Sequence, residues 1–305
     1  MRESISVIIP TYNRSNLLPD SVASVLSQSF SVSEILIVDD CSDTKHLEAL
    51  DEVIKKSPLI RVLKQQVKKG VSACRNIGLN EAKGQYVVFL DDDDTLHTNM
   101  IEDAILAFRE DGATDIIGCR GEVVNSLGEP SVNSLRALIR KETLRTNYTY
   151  GLGNSPSLHF LMYHPLIHSL VIKRSIIGNI RFPEGLIMGE DCYFFLSLVQ
   201  NGARFGYIEK VNVNVRIHDG NSSHLANLDV KEDFYKELLG SELCGKLESA
   251  IIEMQLFYAL LKKRKPRCIF HLIRSLSQPL LFLRFFRYQF RIRTNAFFYY
   301  YRIKP

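Results

Sequence analysis

The stretch Tyr86-Val87-Val88-Phe89-Leu90-Asp91-Asp92-Asp93-Asp94 joins an apolar run to four consecutive carboxylates. Its first five residues have the length and β-rich composition of a strand buried on both faces. Four like charges at the end of that strand repel one another. A divalent cation relieves the repulsion, and magnesium or manganese takes carboxylate oxygens as ligands. The same ion can hold a diphosphate. One reading is therefore a metal–diphosphate site at the carboxyl edge of an α/β sheet, where such sheets bind ligands. The other is a solvated turn whose aspartates cap a helix starting near Thr98. The run alone leaves both open.

Around this stretch, short β-rich runs alternate with helical patterns. Strands are expected at 5–9, 35–38, 60–63, 86–90 and 116–119, and helices at 17–26, 45–56, 72–83 and 99–110. This alternation implies an α/β fold, with a mostly parallel central sheet and helices on both faces. Residues 120–160 are less regular and read as a long loop or small subdomain. A strand at 170–172, a helix at 192–199 and a cleanly alternating strand at 211–217 follow. From 229 to 261 the pattern is helical, and Pro266 interrupts what comes next. The expected organisation is a catalytic unit over 1–225 and a helical, basic, aromatic-rich extension over 226–305.

Composition is ordinary for a globular protein, with 46% apolar, 24% charged and 10% aromatic residues. Six cysteines, none in a C-x-x-C pair, fit a reducing cytoplasm. No signal peptide and no run of 18 apolar residues is read in the chain, so a transmembrane helix is not expected. The net charge of +4 conceals an asymmetry. Residues 262–305 hold twelve Lys/Arg and no Asp/Glu, while the remainder holds 26 Lys/Arg against 34 Asp/Glu. An acidic body with a basic tail points to a tail that meets an anionic surface.

Further motifs sit at the expected strand and helix ends. Pro10-Thr11-Tyr12-Asn13-Arg14 follows the first strand, and the Tyr12 ring could lie against a base, or be a plain loop tyrosine. Val38-Asp39-Asp40-Cys41-Ser42 brings two more carboxylates to the same edge, as acceptors for a pyrimidine imide or a ribose hydroxyl, or as helix caps. Gly70-Val71-Ser72-Ala73-Cys74-Arg75-Asn76 opens a helix whose amides, with Arg75, could meet a phosphate. Gly189-Glu190-Asp191 precedes an apolar helix, and an Asp there can accept a proton from a sugar hydroxyl or simply cap. Arg216-Ile217-His218 ends the alternating strand, where Arg216 and His218 share a face toward a diphosphate or a metal.

Residues 7–14, 35–42, 70–76, 89–94 and 189–191, taken in order, resemble the motifs of the family-two glycosyltransferases, a large inverting group with the glycosyltransferase A-type fold. The resemblance spans about residues 4–220. It implies that Thr11, Tyr12 and Asp39 hold the nucleoside, usually uridine, with Arg75 near the donor. It makes Asp91–Asp93 the D-x-D pair that binds the metal (manganese or magnesium) and the donor ribose, with Asp92 also at the donor. It makes Asp191 the acceptor-side base and puts His218 near the diphosphate. Three departures stand out. The four-Asp run leaves the register open to Asp92–Asp94, Cys74 replaces a common Ala, and Leu96 replaces a common aromatic.

The implied reaction is transfer from a nucleotide-diphospho-sugar to a saccharide or lipid-linked saccharide, as in bacterial surface-polysaccharide assembly. A sugar nucleotidyltransferase would want a Gly-rich basic loop after the first strand, and residues 10–16 hold no Gly and one Arg. A sugar-nucleotide binder without turnover is the non-enzyme alternative. In the tail, Arg284, Arg287 and Arg291 recur at helical spacing among Leu, Phe and Tyr. That pattern suits an amphipathic helix in the headgroup region of an anionic membrane, which would make the protein peripheral on the cytoplasmic face. The alternative is a helix packed on the catalytic unit with its Arg side exposed. No nucleic-acid recognition module accompanies the charge.

Overall fold

The computed structural model of the chain describes residues 3–125, 127–129, 161, 167–186, 188–217, 228–279, 282–283 and 286–287. Its centre is an eight-stranded sheet in the order β3-β2-β1-β4-β7-β6-β8-β5. The strands are β1 (Ile5–Thr11), β2 (Glu34–Asp39), β3 (Ile60–Lys64), β4 (Tyr86–Phe89), β5 (Thr95–Leu96), β6 (Ile116–Val124), β7 (Leu170–Lys173) and β8 (Phe205–Arg216). The helices are α1 (Leu18–Leu26), α2 (Thr44–Ile54), α3 (Val71–Glu81), α4 (Met100–Glu110), α5 (Arg174–Ile177), α6 (Glu190–Gln200), α7 (Leu228–Gly240), α8 (Lys246–Lys262) and α9 (Cys268–Ser275).

The nearly continuous apolar runs of β1, β2 and β4 follow from burial on both faces. Ile8, Leu36, Val38, Val87 and Phe89 point into one core with Cys74 and Leu79 of α3 and Phe194 and Phe195 of α6. Ile5, Val7, Ile9, Ile35, Ile37 and Val88 point into the other, with Leu18 and Val22 of α1, Leu50 of α2 and Ile101 and Ile105 of α4. Alternate residues serve opposite layers, so neither face can be polar. Gly78 lets α3 lie close on β1, because a Cβ there would sit 2.4 Å from Ile8 Cγ2.

β1, β2, β3 and β4 are mutually parallel, so Thr11, Asp39 and the residues after Phe89 emerge at one edge. β7 runs antiparallel to β4, with Val88 opposite Val171. The turn before β7, Ile167–Ser169, therefore reaches the same edge. β6 is antiparallel to β7, and β8 is parallel to β6, so β8 also ends there, at Arg216.

The observed elements depart from the sequence expectation in a few places. β6 extends to Val124 rather than stopping at 119, and a register irregularity at Cys119–Gly121 breaks the alternation that would have marked it. β5 is two residues long, too short to leave a period. The helical stretch 229–261 is two helices, α7 and α8, and both pack into the core that holds Phe89. The boundary expected at 225/226 lies outside the described residues, as do most of 120–160 and almost all of 280–301. Among the described residues, all six cysteines are free, and no helix is long and apolar enough to cross a membrane.

Candidate functional site

The four aspartates after β4 are not a solvated turn. Asp92, Asp93 and Asp94 are 3–5% exposed. They do not cap α4, whose N-cap residue is Asn99 and lacks a side-chain capping bond. Each has its own partners instead. Thr11 Oγ1 donates to Asp92 Oδ2 at 2.7 Å, and Arg14 Nη1 donates to Asp92 Oδ1 at 3.0 Å and to Asp93 Oδ2 at 2.7 Å. The Arg216 N–H at the end of β8 donates to Asp94 Oδ1 at 2.8 Å. Ser21 Oγ, on α1, lies 2.9 and 2.6 Å from the Asp92 and Asp94 carbonyl oxygens and fixes the backbone of the run.

Asp91 differs from its neighbours in that its side chain is about a third exposed. Arg75 Nη2 donates to its Oδ1 at 2.9 Å. The other arm of the same guanidinium, Nη1, donates to Glu190 Oε1 at 2.9 Å. Arg75 is itself buried and lies over the Phe182 ring. One side chain thus ties the acidic run to the first turn of α6, where Asp191 follows Glu190. Gly189 makes that turn possible. Its φ is +87°, and a Cβ there would lie 2.1 Å from the Phe234 ring. Asp191 Oδ1 accepts from the Cys192 N–H at 2.7 Å.

At the end of β2, Asp39 is buried beside Thr11, its register partner. Its Oδ2 accepts from the Ser42 N–H at 3.2 Å, and its Oδ1 is buried with no hydrogen-bond partner. A buried carboxylate oxygen left open is costly unless something else donates to it. Asp40 is fully used. Its two oxygens accept from the Lys69 and Gly70 N–H groups at 2.7 and 2.8 Å, which holds the loop that starts α3. Tyr12 is exposed, and Lys68 Nζ sits 3.6 Å from its ring centroid.

Burial and neighbouring charge push these carboxyls apart. Burial raises Asp92 to about 7 against the pull of Arg14, and burial raises Asp94 to about 7 against that of His168. For Asp91 burial works in the same direction, but Arg75 and His168 win and hold it well below the usual carboxylate range. Burial, then the adjacent Glu190 charge, raise Asp191 to about 7.

His168 precedes β7, and its Nδ1 is 3.2 Å from Asp94 Oδ2 and 3.6 Å from Asp91 Oδ2. One ligand atom from each of Asp91, Asp94 and His168 lies within 4.8 Å of the other two. Two carboxylates and an imidazole, held in a site where like charges crowd, fit a small divalent cation. Asp93, expected to share the metal with Asp91, faces Arg14 instead.

The structure brings Thr11, Asp39, Arg75, Asp91, Asp92, Asp93 and Asp191 to one edge, with Tyr12 at its rim. His218 lies outside the described residues. Sequence reasoning reached Asp94 only as the alternative D-x-D register, and it did not single out His168. Arg14 and Glu190 lie inside quoted motifs but were given no role. His168 carries no local signal, because it arrives only through the antiparallel pairing of β7.

A family model described as Glycosyl transferase family 2 matches residues 6–168. Glycosyltransferase GlyG of Streptococcus pneumoniae is 36% identical over 118 residues, covering 39% of this chain and 39% of its own length. Minor teichoic acid biosynthesis protein GgaB of Bacillus subtilis is 26% identical over 242 residues, covering 77% of this chain and 25% of its own length. The chain thus spans about a quarter to two-fifths of the length of such curated relatives. Among solved structures, Staphylococcus aureus TarS 1–349 in complex with UDP-GlcNAc superposes with a TM-score of 0.61 at 20% identity, covering 90% of this chain and 88% of that one. Mannosyltransferase PcManGT from Pyrobaculum calidifontis, in complex with GDP-Man and Mn2+, gives 0.60 at 14% identity, covering 100% and 89%. At these identities the structural likeness is one of fold.

Proposed function

The chain belongs to glycosyl transferase family 2 and has the glycosyltransferase A-type fold, and from that premise we propose that it transfers one sugar from a nucleotide-diphospho-sugar, a UDP-sugar, to a saccharide hydroxyl with inversion. The observation that carries this reading is the Arg75 bridge. A single buried guanidinium bonded to both Asp91 and Glu190 ties the proposed donor-side carboxylate to the residue next to the candidate base, Asp191, which supports placing both at one site.

In this mechanism the nucleoside lies over the ends of β1 and β2. The open Oδ1 of Asp39 accepts from the pyrimidine imide or a ribose hydroxyl, and the exposed Tyr12 ring covers the base. Thr11 and Arg14 orient Asp92 toward the ribose. Asp91, Asp94 and His168 would hold a divalent cation, manganese or magnesium, which when bound supplies neutralising charge to the leaving diphosphate. His218 is assigned near that diphosphate. Asp191 takes the proton from the acceptor hydroxyl as its oxygen attacks C1 from the face opposite the leaving group. One displacement inverts the anomeric centre without a covalent enzyme intermediate. A carboxyl raised to about 7 is basic enough to hold that proton, and such assistance is typically worth ~10²–10⁴ in rate.

The catalytic unit in this reading is residues 1–225, with 226–305 as a helical extension. The acceptor is a glycan or lipid-linked saccharide of bacterial surface-polymer assembly, met at the cytoplasmic face of a membrane. The printed names of GgaB and TarS, which refer to teichoic acid and poly(ribitol-phosphate), support that choice of acceptor class. The test is a donor screen over UDP-, GDP- and dTDP-sugars with manganese, run on the wild type and Asp191→Asn. The expected outcome is UDP-sugar turnover in the wild type, and donor binding without transfer in the variant. Retained transfer in Asp191→Asn would remove Asp191 as base, and donor binding without turnover in the wild type across a broad acceptor panel would make the chain a binder.

A further inference from the structure

α9 is amphipathic in the reverse of the usual sense. Its inward side carries Ser275, fully buried, and His271, whose Nδ1 lies 2.5 Å from Glu253 Oε2 on α8. Its outward side carries Ile269, Phe270, Ile273 and Leu276, of which Phe270 is 63% and Ile273 60% exposed. These four fall within about a third of the helix circumference at 100° per residue. Exposed Leu283 and Phe286 continue the apolar character beyond the helix. Scattered surface leucines need no explanation, but a whole helix face of large apolar side chains does.

The charges beside this face say what kind of surface it suits. Glu232 on α7 is buried and gathers Lys236, Lys263, Lys265 and Arg267. Asp229 takes a further contact from Lys263, and Arg274 reaches Glu253 at 3.5 Å. With Asp233 beside Lys236, five cations meet four carboxylates, and a positive surplus stays at the surface. Arg264 and Arg287 are exposed outside these pairs. No acidic residue occurs anywhere in 262–305. A second copy of the chain would bring the same positive charge against itself, which is unfavourable. A surface that is apolar just below an anionic layer satisfies both features.

We propose that the outward face of α9, through Ile269, Phe270, Ile273 and Leu276, seats in the interfacial layer of an anionic lipid bilayer, with the flanking Lys and Arg side chains on its headgroups. α9 packs on the body of the protein and exposes an apolar side, while most of the Arg-bearing pattern expected over 280–301 lies outside the described residues. The inference does not rest on the transfer reading, because binding is measured without donor or acceptor.

The experiment is flotation of the full chain with vesicles of equal phosphatidylglycerol and phosphatidylcholine, and with vesicles of phosphatidylcholine alone. The wild type is expected to float with the anionic vesicles and to bind the neutral ones about tenfold or more weakly. Phe270→Ser with Ile273→Ser is expected to lower anionic-vesicle partitioning about tenfold while leaving the melting temperature unchanged, since both side chains are exposed. Arg264→Glu with Arg287→Glu, at positions outside the ion pairs seen among the described residues, is expected to lower it as well and serves as the decisive variant if the first pair alters folding. Flotation of both variants equal to wild type would overturn the proposal. So would equal binding to neutral vesicles, or light scattering that shows a dimer split by the Phe270/Ile273 variant, which would assign the face to a second copy.

Discussion

Arg75 holds two carboxylates from segments 99 residues apart, and removing it would leave Glu190 and Asp91 without their shared cation. Breaking one side of a buried pair costs roughly 3–5 kcal/mol, and the partial exposure of Asp91 puts Arg75→Ala near the low end, at about 3 kcal/mol in urea unfolding. A loss under about 1 kcal/mol would mean that the bridge carries no structural weight. Asp191 makes a separate prediction. A base works only as the carboxylate, so kcat/KM should rise with pH through about 7, where burial and Glu190 place its titration. Any residual transfer by Asp191→Asn should lack that acid limb, and an unchanged limb in the variant would assign it elsewhere. At this scale the sequence was informative for residues inside strong motifs, such as Asp39, Arg75 and Asp191. It was silent on His168, which is set beside Asp91 and Asp94 by a strand pairing that no local pattern encodes.

The start of α6 is the element on which the proposed acceptor side depends. Gly189 enters that helix with φ +87° against the Phe234 ring, so Gly189→Ala combines backbone strain with a clash. The expected outcome is a loss of about 1–3 kcal/mol in stability, and a fall in transfer with donor affinity kept, read by calorimetry beside the activity assay. Unchanged transfer would show that the α6 entry does not position Asp191. The strands at 35–38 and 86–90 were legible because two buried faces leave an unbroken apolar run, and those at 5–9 and 60–63 because one polar residue, Ser6 or Arg61, interrupts an otherwise apolar one. β5 and the far half of β6 were not, since a two-residue strand has no period and an irregular register hides one. The orientation of α9 was hidden too. Its apolar stripe is plain in the sequence, but only packing shows that Ser275 and His271 face inward.

For the whole molecule, the ends of β1, β2, β4 and β8 and the turn before the antiparallel β7 meet at a single sheet edge. α/β alternation made the edge foreseeable, whereas α7 and α8 joining the same core as Phe89 was not, because two helices with no strand between them leave their packing partner unspecified. The proposed mechanism rests on Asp91 and Asp94 of one acidic run, with His168 from the turn before β7, holding one cation and the diphosphate it neutralises. Calorimetric titration of UDP into the protein, with manganese and again with excess chelator, tests that most directly. The predicted result is metal-dependent binding that falls at least about tenfold with chelator and in Asp91→Asn, and persists in Asp191→Asn. Equal UDP affinity with and without manganese, in wild type and Asp91→Asn alike, would contradict it.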